Sequence, residues 1–149
     1  MTAFTTGNPA FSERDLFRLA AQHFGKHGTI RPLPSERDQN ARLACDGQDY
    51  VFKIANPAED PGQIDLQNAT MLHLALVGQP GIPRVVPTLA GADRALVDVN
   101  GQPSAMRLVT WVGGTPLAEA PRSIDQLRNL GHFMGGLTRS MQGFGHPQA

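Results

Sequence analysis

Asp46-Gly47 stands between two apolar runs, residues 41–45 and 49–54. A two-residue Asp-Gly link of this kind sets a tight antiparallel hairpin. In the second run Tyr50, Phe52 and Ile54 alternate with Val51 and Lys53. Apolar side chains therefore leave both faces of one strand. A sheet built on that strand must be covered on both sides, so this hairpin excludes an open, one-sided sheet.

The covering layers are legible nearby. Ser12 with Asp15 fits a capping box, with Phe11 and Leu16 as the flanking staple. Leu16, Leu19, Ala20 and His23 then share one face, and Gly25 fits a C-terminal cap. The pattern predicts a helix over 13–24. Asp60-Pro61 starts a second helix, 61–77, stopped by Gly78. Ile64, Met71, Leu74 and Ala75 form its apolar face, with Gln67 on the same side. Strands are expected at 84–88, 94–99 and 104–112, the last two joined by Asn100-Gly101-Gln102-Pro103. A third helix is expected over 124–142, with Ser123 and Gln126 as its box and Leu127, Leu130, Met134, Leu137 and Met141 along one stripe. Gly131, Gly135 and Gly136 lower its helix propensity and point to a close neighbour there. Helices alternate with antiparallel hairpins, so the class is α+β.

Composition excludes several functions. Lys+Arg and Asp+Glu are both 13, so the chain lacks the basic face needed to grip nucleic acid or an anionic membrane. No run is long and apolar enough to span a membrane, and residues 1–10 lack the pattern of a signal peptide. One cysteine, Cys45, allows no internal disulfide. The expected setting is cytoplasmic. The five histidines show no metal-ligand spacing, and no nucleophile elbow, P-loop or dinucleotide fingerprint is present.

Three features could carry chemistry. Lys53 is one of two lysines and lies mid-strand among apolar residues. It is either an edge-strand lysine facing water or a partly buried ammonium directed at phosphate oxygens. Gln67 is either a core amide bonded to backbone or the residue facing Lys53 across the seam between sheet and helix. The run Val109-Thr110-Trp111-Val112-Gly113-Gly114 is a strand end whose main-chain groups suit a flat purine edge, or a linker, or both.

These segments together resemble the aminoglycoside phosphotransferase-like (APH) kinase family, and within it the homoserine and hydroxylysine kinase branch, which includes kinases fused to class III aminotransferases. Residues 34–40 (Pro-Ser-Glu-Arg-Asp-Gln-Asn) look like that branch's nucleotide loop. Tyr50-Val51-Phe52-Lys53-Ile54-Ala55-Asn56 looks like its lysine strand, and Leu66-Gln67-Asn68-Ala69 like the helix facing it. Residues 106–117 look like its hinge, and Leu130-Gly131-His132-Phe133-Met134-Gly135 like the first helix beyond.

The resemblance implies a protein-kinase-like N-lobe: an antiparallel sheet of about five strands with a packed helix, preceded by an N-terminal helix and followed by a C-terminal one. Residues 1–112 would be the lobe, and 113–149 the hinge exit and the first helix toward a C-lobe. ATP is the implied cofactor. Lys53 would reach its α/β-phosphates. Gln67 would replace the glutamate that usually pairs with this lysine. Val51 would pack on adenine and Val109 would close the back of the pocket. The Thr110 carbonyl and Val112 amide would bond the adenine edge. The loop bounded by Ser35 and Asn40 would cover the phosphates, although it holds no glycine. The family's catalytic Asp and its Mg²⁺ ligands lie beyond residue 149. The chain alone is therefore expected to be inactive, with no catalytic or metal residue of its own. The implied partners are the nucleotide, the chain's own C-lobe or fused enzyme domains, and a second copy through exposed helix. Two other readings stay open here: a stand-alone nucleotide-sensing or protein-docking module of the same shape, and an unrelated α+β interaction domain.

Overall fold

A computed structural model describes residues 7–149. Among these residues, three helices and six strands follow one another as α1 (Glu13–Phe24), β1 (Thr29–Leu33), β2 (Gln39–Cys45), β3 (Gln48–Ile54), α2 (Pro61–Leu76), β4 (Val85–Val86), β5 (Ala95–Val99), β6 (Gln102–Thr110) and α3 (Ile124–Ser140). The strands form one antiparallel sheet in the order β1-β2-β3-β6-β4, with β5 also paired to β6.

The hairpin signal holds at residue level. Asp46 and Gly47 both have positive φ, 53° and 74°, and Cys45 pairs with Gln48 across them. That conformation suits the twist of the flanking strands, and Asp and Gly tolerate it. Asn100 and Gly101 repeat the device, with φ of 55° and 81°. Their turn is tighter than the expected four-residue link, so β6 begins at Gln102 and includes Pro103. Among the described residues, β6 is paired around Pro103 with β5 alone, where a missing N–H is tolerated. At its other end β6 stops at Thr110 rather than residue 112; the β3–β6 register ends at the Tyr50–Thr110 pair, and beyond it the Trp111 N–H still donates to the Asp49 carbonyl.

The sixth strand is β1, which raises the count above the expected five. Its sequence Thr-Ile-Arg-Pro-Leu lacks clean alternation, and only Ile30 is buried. An edge position accommodates its proline. Pairing of Leu33 with Asn40 makes residues 34–38 the turn of the β1–β2 hairpin.

One face of the sheet is the core. Leu16, Ala20 and Phe24 of α1 pack on Ala41, Leu43, Tyr50, Phe52, Ile54, Met106 and Leu108. Phe24 meets Phe52 edge-on at 5.8 Å. The α1 caps are as expected: Ser12 Oγ accepts from the Asp15 N–H, and Gly25 at φ 63° ends the helix. Gln39 clamps the segment ahead of α1 by exchanging two 2.8 Å bonds with the Phe11 main chain.

The other face carries α2. Its N-cap is Asp60, accepting from the Gly62 N–H at 2.9 Å. Ile64 seats on Ala55 and Ala105. A two-bond Arg94–Asp65 ion pair and a bond from Asn68 Nδ2 to the Asp93 carbonyl hold the helix to the start of β5. α3 buries no residue, and near its end the Ser140 carbonyl lies 2.7 Å from His73 Nε2 of α2.

Candidate functional site

Between α2 and the second face of the sheet lies a cavity of about 690 Å³. Two-residue alternation decides what enters it. Tyr50, Phe52 and Ile54 face the core, so Val51 and Lys53 face the opposite way. Register then lines up whole rows across three strands: Asn40, Lys53 and Arg107 in one, Arg42, Val51 and Val109 in the next. The cavity is lined by Val51, Lys53, Val109, Thr110 and Val112, and from α2 by Leu66, Gln67, Thr70 and Met71. Arg107, Trp111 and Pro83 complete it.

Six of the sequence candidates therefore meet in one place: Val51, Lys53, Gln67, Val109, Thr110 and Val112. Ser35 and Asn40 do not line the cavity. Ser35 Oγ accepts from the Asn40 N–H at 3.2 Å and lies 3.4 Å from the Leu33 carbonyl, which closes the foot of the loop. Among the described residues, the buried Asn40 side-chain oxygen has no partner. Asp38 accepts from the Asn56 N–H at 3.1 Å, and the Asn56 amide also reaches the Arg37 carbonyl. These bonds fix the loop to the end of β3.

Gln67 shares the cavity with Lys53, but its hydrogen bond goes elsewhere. Its Oε1 accepts from Arg107 Nη2. Asn68, next on the helix and buried, accepts from Arg107 Nη1 at 2.9 Å. Sequence reading overlooked Arg107, which looked like one arginine among many in a strand. The available signal was the spacing: a cation on β6 in register with Lys53 needs the hairpin pairings to be known.

Burial, and then repulsion from Arg107, pushes the Lys53 ammonium below the ordinary lysine range; the Asp38 charge partly opposes this. Burial likewise lowers Arg107, against the pull of Asp38 and Glu59. Neither cation belongs to an ion pair among the described residues.

The strand end is also braced. The Thr110 N–H donates to the Arg84 carbonyl at 2.9 Å, and Thr110 Oγ1 accepts from the Arg84 N–H at 2.8 Å. The Trp111 N–H donates to Asp49, and its ring stacks under the Arg42 guanidinium at 4.7 Å. After Thr110 the chain leaves the sheet, and Val112 is exposed. The site thus combines an apolar wall, two cations at one end and irregular backbone at the other.

Comparisons agree on kinship. Hydroxylysine kinase of Mus musculus is 29% identical over 96% of this chain, and that of Bos taurus 30% over 94%. The chain spans 42% and 41% of their lengths. Among solved structures, the amicoumacin kinase hAmiN in complex with AMP-PNP, Ca2+ and Ami superposes with a TM-score of 0.77 at 16% identity, covering 92% of this chain and 42% of that one. A microcompartment-associated aminopropanol kinase gives 0.69 at 18% identity, covering 90% and 42%. These two share the fold of the N-terminal, sheet-bearing part. Residues 29–149 match the model of the phosphotransferase enzyme family (APH), and the chain belongs to that family.

Proposed function

We propose that this chain is the N-terminal, ATP-binding lobe of a small-molecule phosphotransferase whose acceptor is a hydroxyl on an amino-acid-like or aminoglycoside-like compound. The observation that carries the reading is the single cavity holding Lys53, Val51, Val109, Thr110 and Val112. Its shape and chemistry suit a nucleoside phosphate. Val51 and Val109 offer adjacent apolar surface on neighbouring strands for one face of adenine, and Met71 stands across from them on α2. The Thr110 carbonyl and Val112 N–H border the cavity where the chain leaves the ladder, so they can read the adenine edge. Lys53 lies farther in, placed to meet phosphate oxygens as a compact point charge.

The remaining machinery follows from the family. Phosphoryl transfer depends on positioning and on metal-ion stabilisation of the transferring group. A base for the acceptor hydroxyl and ligands for Mg²⁺ belong to a second lobe, which the curated relatives have length to contain. Here the chain supplies only half of the nucleotide site and does not transfer phosphate by itself. Its partners are then the nucleotide and that second lobe or a fused enzyme domain, in the cytoplasm.

Calorimetric titration of the chain with ATP tests the reading. Binding is expected, with Lys53→Ala weakening it about tenfold, the worth of one charge-assisted bond. Equal affinity in the native and Lys53→Ala chains would overturn the assignment. Docking without nucleotide, as a protein-binding module would show, requires no ATP affinity at all.

A further inference from the structure

The two cations at the inner end of the cavity have an unusual setting. Lys53 and Arg107 are register partners on adjacent antiparallel strands, so their side chains leave the same face about 5 Å apart at Cβ. Like charges so placed repel. Arg107 is buried and Lys53 half-buried. A simple strut between β6 and α2 would be best served by a carboxylate on the helix. Positions 67 and 68 are both amides instead. They orient the guanidinium through Nη1 and Nη2 without cancelling its charge.

A guanidinium carries five N–H donors. Gln67 and Asn68 take one each, and the Arg107 side chain donates to no other group among the described residues. The remaining donors belong to a group that borders the same cavity as Lys53. The carboxylates whose charge reaches both cations are Asp38 and, for Arg107, Glu59, and neither pairs with them. Asp38 is committed to the Asn56 backbone.

We propose that Lys53 and Arg107 form one two-cation site for adjacent phosphate groups of a polyphosphate, with Gln67 and Asn68 as the residues that position the guanidinium. This rests on the nucleotide reading of the cavity and adds a second phosphate-directed side chain to it. The two neutral amides are then part of the design, because a carboxylate at either position would compete with the ligand for Arg107.

Titration of the chain with tripolyphosphate, ATP and adenosine tests this. Arg107→Met is expected to weaken tripolyphosphate and ATP about tenfold and to leave adenosine within about twofold. Gln67→Glu is expected to weaken tripolyphosphate severalfold while the unliganded Tm stays level or rises. That variant keeps the argument testable if Arg107→Met does not fold. A merely structural Arg107 predicts the opposite: equal losses for adenosine and ATP in Arg107→Met, and unchanged tripolyphosphate affinity in Gln67→Glu. Either result, or no tripolyphosphate binding by the native chain, would overturn the proposal. The adenine reading fails separately, when tripolyphosphate binding depends on Arg107 but ATP binds no better than tripolyphosphate and adenosine does not bind.

Discussion

Lys53 shows how a residue's meaning depends on its neighbours. Its strand position alone puts it opposite the core-facing set, and that much follows from alternation. Its companion Arg107 comes from 54 positions further along the chain, through the β3–β6 register. The pair has a pH signature. Burial and Arg107 hold the folded-state pKa of Lys53 below its ordinary value of 10.5. The unfolded chain then binds this proton more tightly than the folded one, so stability rises as pH climbs from the depressed value toward 10.5. Urea denaturation across that window should show the rise in the native chain and lose it in Lys53→Met. The same variant should be level with the native chain or up to about 2 °C more stable near neutrality, since a partly buried, unpaired charge has been removed. A lower Tm would mean that the ammonium has a stabilising partner. Gln67 was legible as a polar residue on an apolar helix face. Its bond to Arg107 was not, because an amide in sequence does not declare its donor.

At the scale of elements, turns and caps were the most legible features. Asp46-Gly47, Ser12, Gly25 and Asp60 act locally, and each stands where the sequence placed it. β1 was invisible for the complementary reason. An edge strand has one neighbour and little burial, so it needs neither alternation nor freedom from proline. What admits it is space. A Cβ on Gly28 would lie 1.9 Å from the Ala44 carbonyl oxygen, so only glycine lets the chain pass β2 on its way into β1. Gly28→Ala should shift the β1–β2 hairpin and cost about 1–3 kcal/mol, measured by chemical denaturation. A neutral effect would show that the strand yields easily. Because residues 34–38 are the turn of that hairpin, the same variant should loosen the loop beside the cavity.

For the whole molecule, α3 is the informative element. Ile124, Leu127, Leu130 and Met134 are exposed, by 69%, 65%, 38% and 51%, and the helix buries nothing. An apolar stripe of this kind on a free surface promotes association. Sedimentation of the native chain should show self-association that rises with concentration, and Leu127→Glu with Met134→Glu should abolish it without lowering Tm. A native chain that stays monomeric would indicate that the stripe is too weak to pair. The sequence by itself determined the helices, the tight turns and the two-faced strand, because caps, turns and alternation act over a few residues. It also placed Val51, Lys53, Val109, Thr110 and Val112 as candidates, through their resemblance to a kinase lobe. Only the tertiary structure decided that Arg107 stands beside Lys53, that Gln67 and Asn68 serve Arg107, and that Ser35 and Asn40 brace a loop instead of lining the cavity. Those relations are set by strand register and helix docking, which bring together residues far apart in the chain.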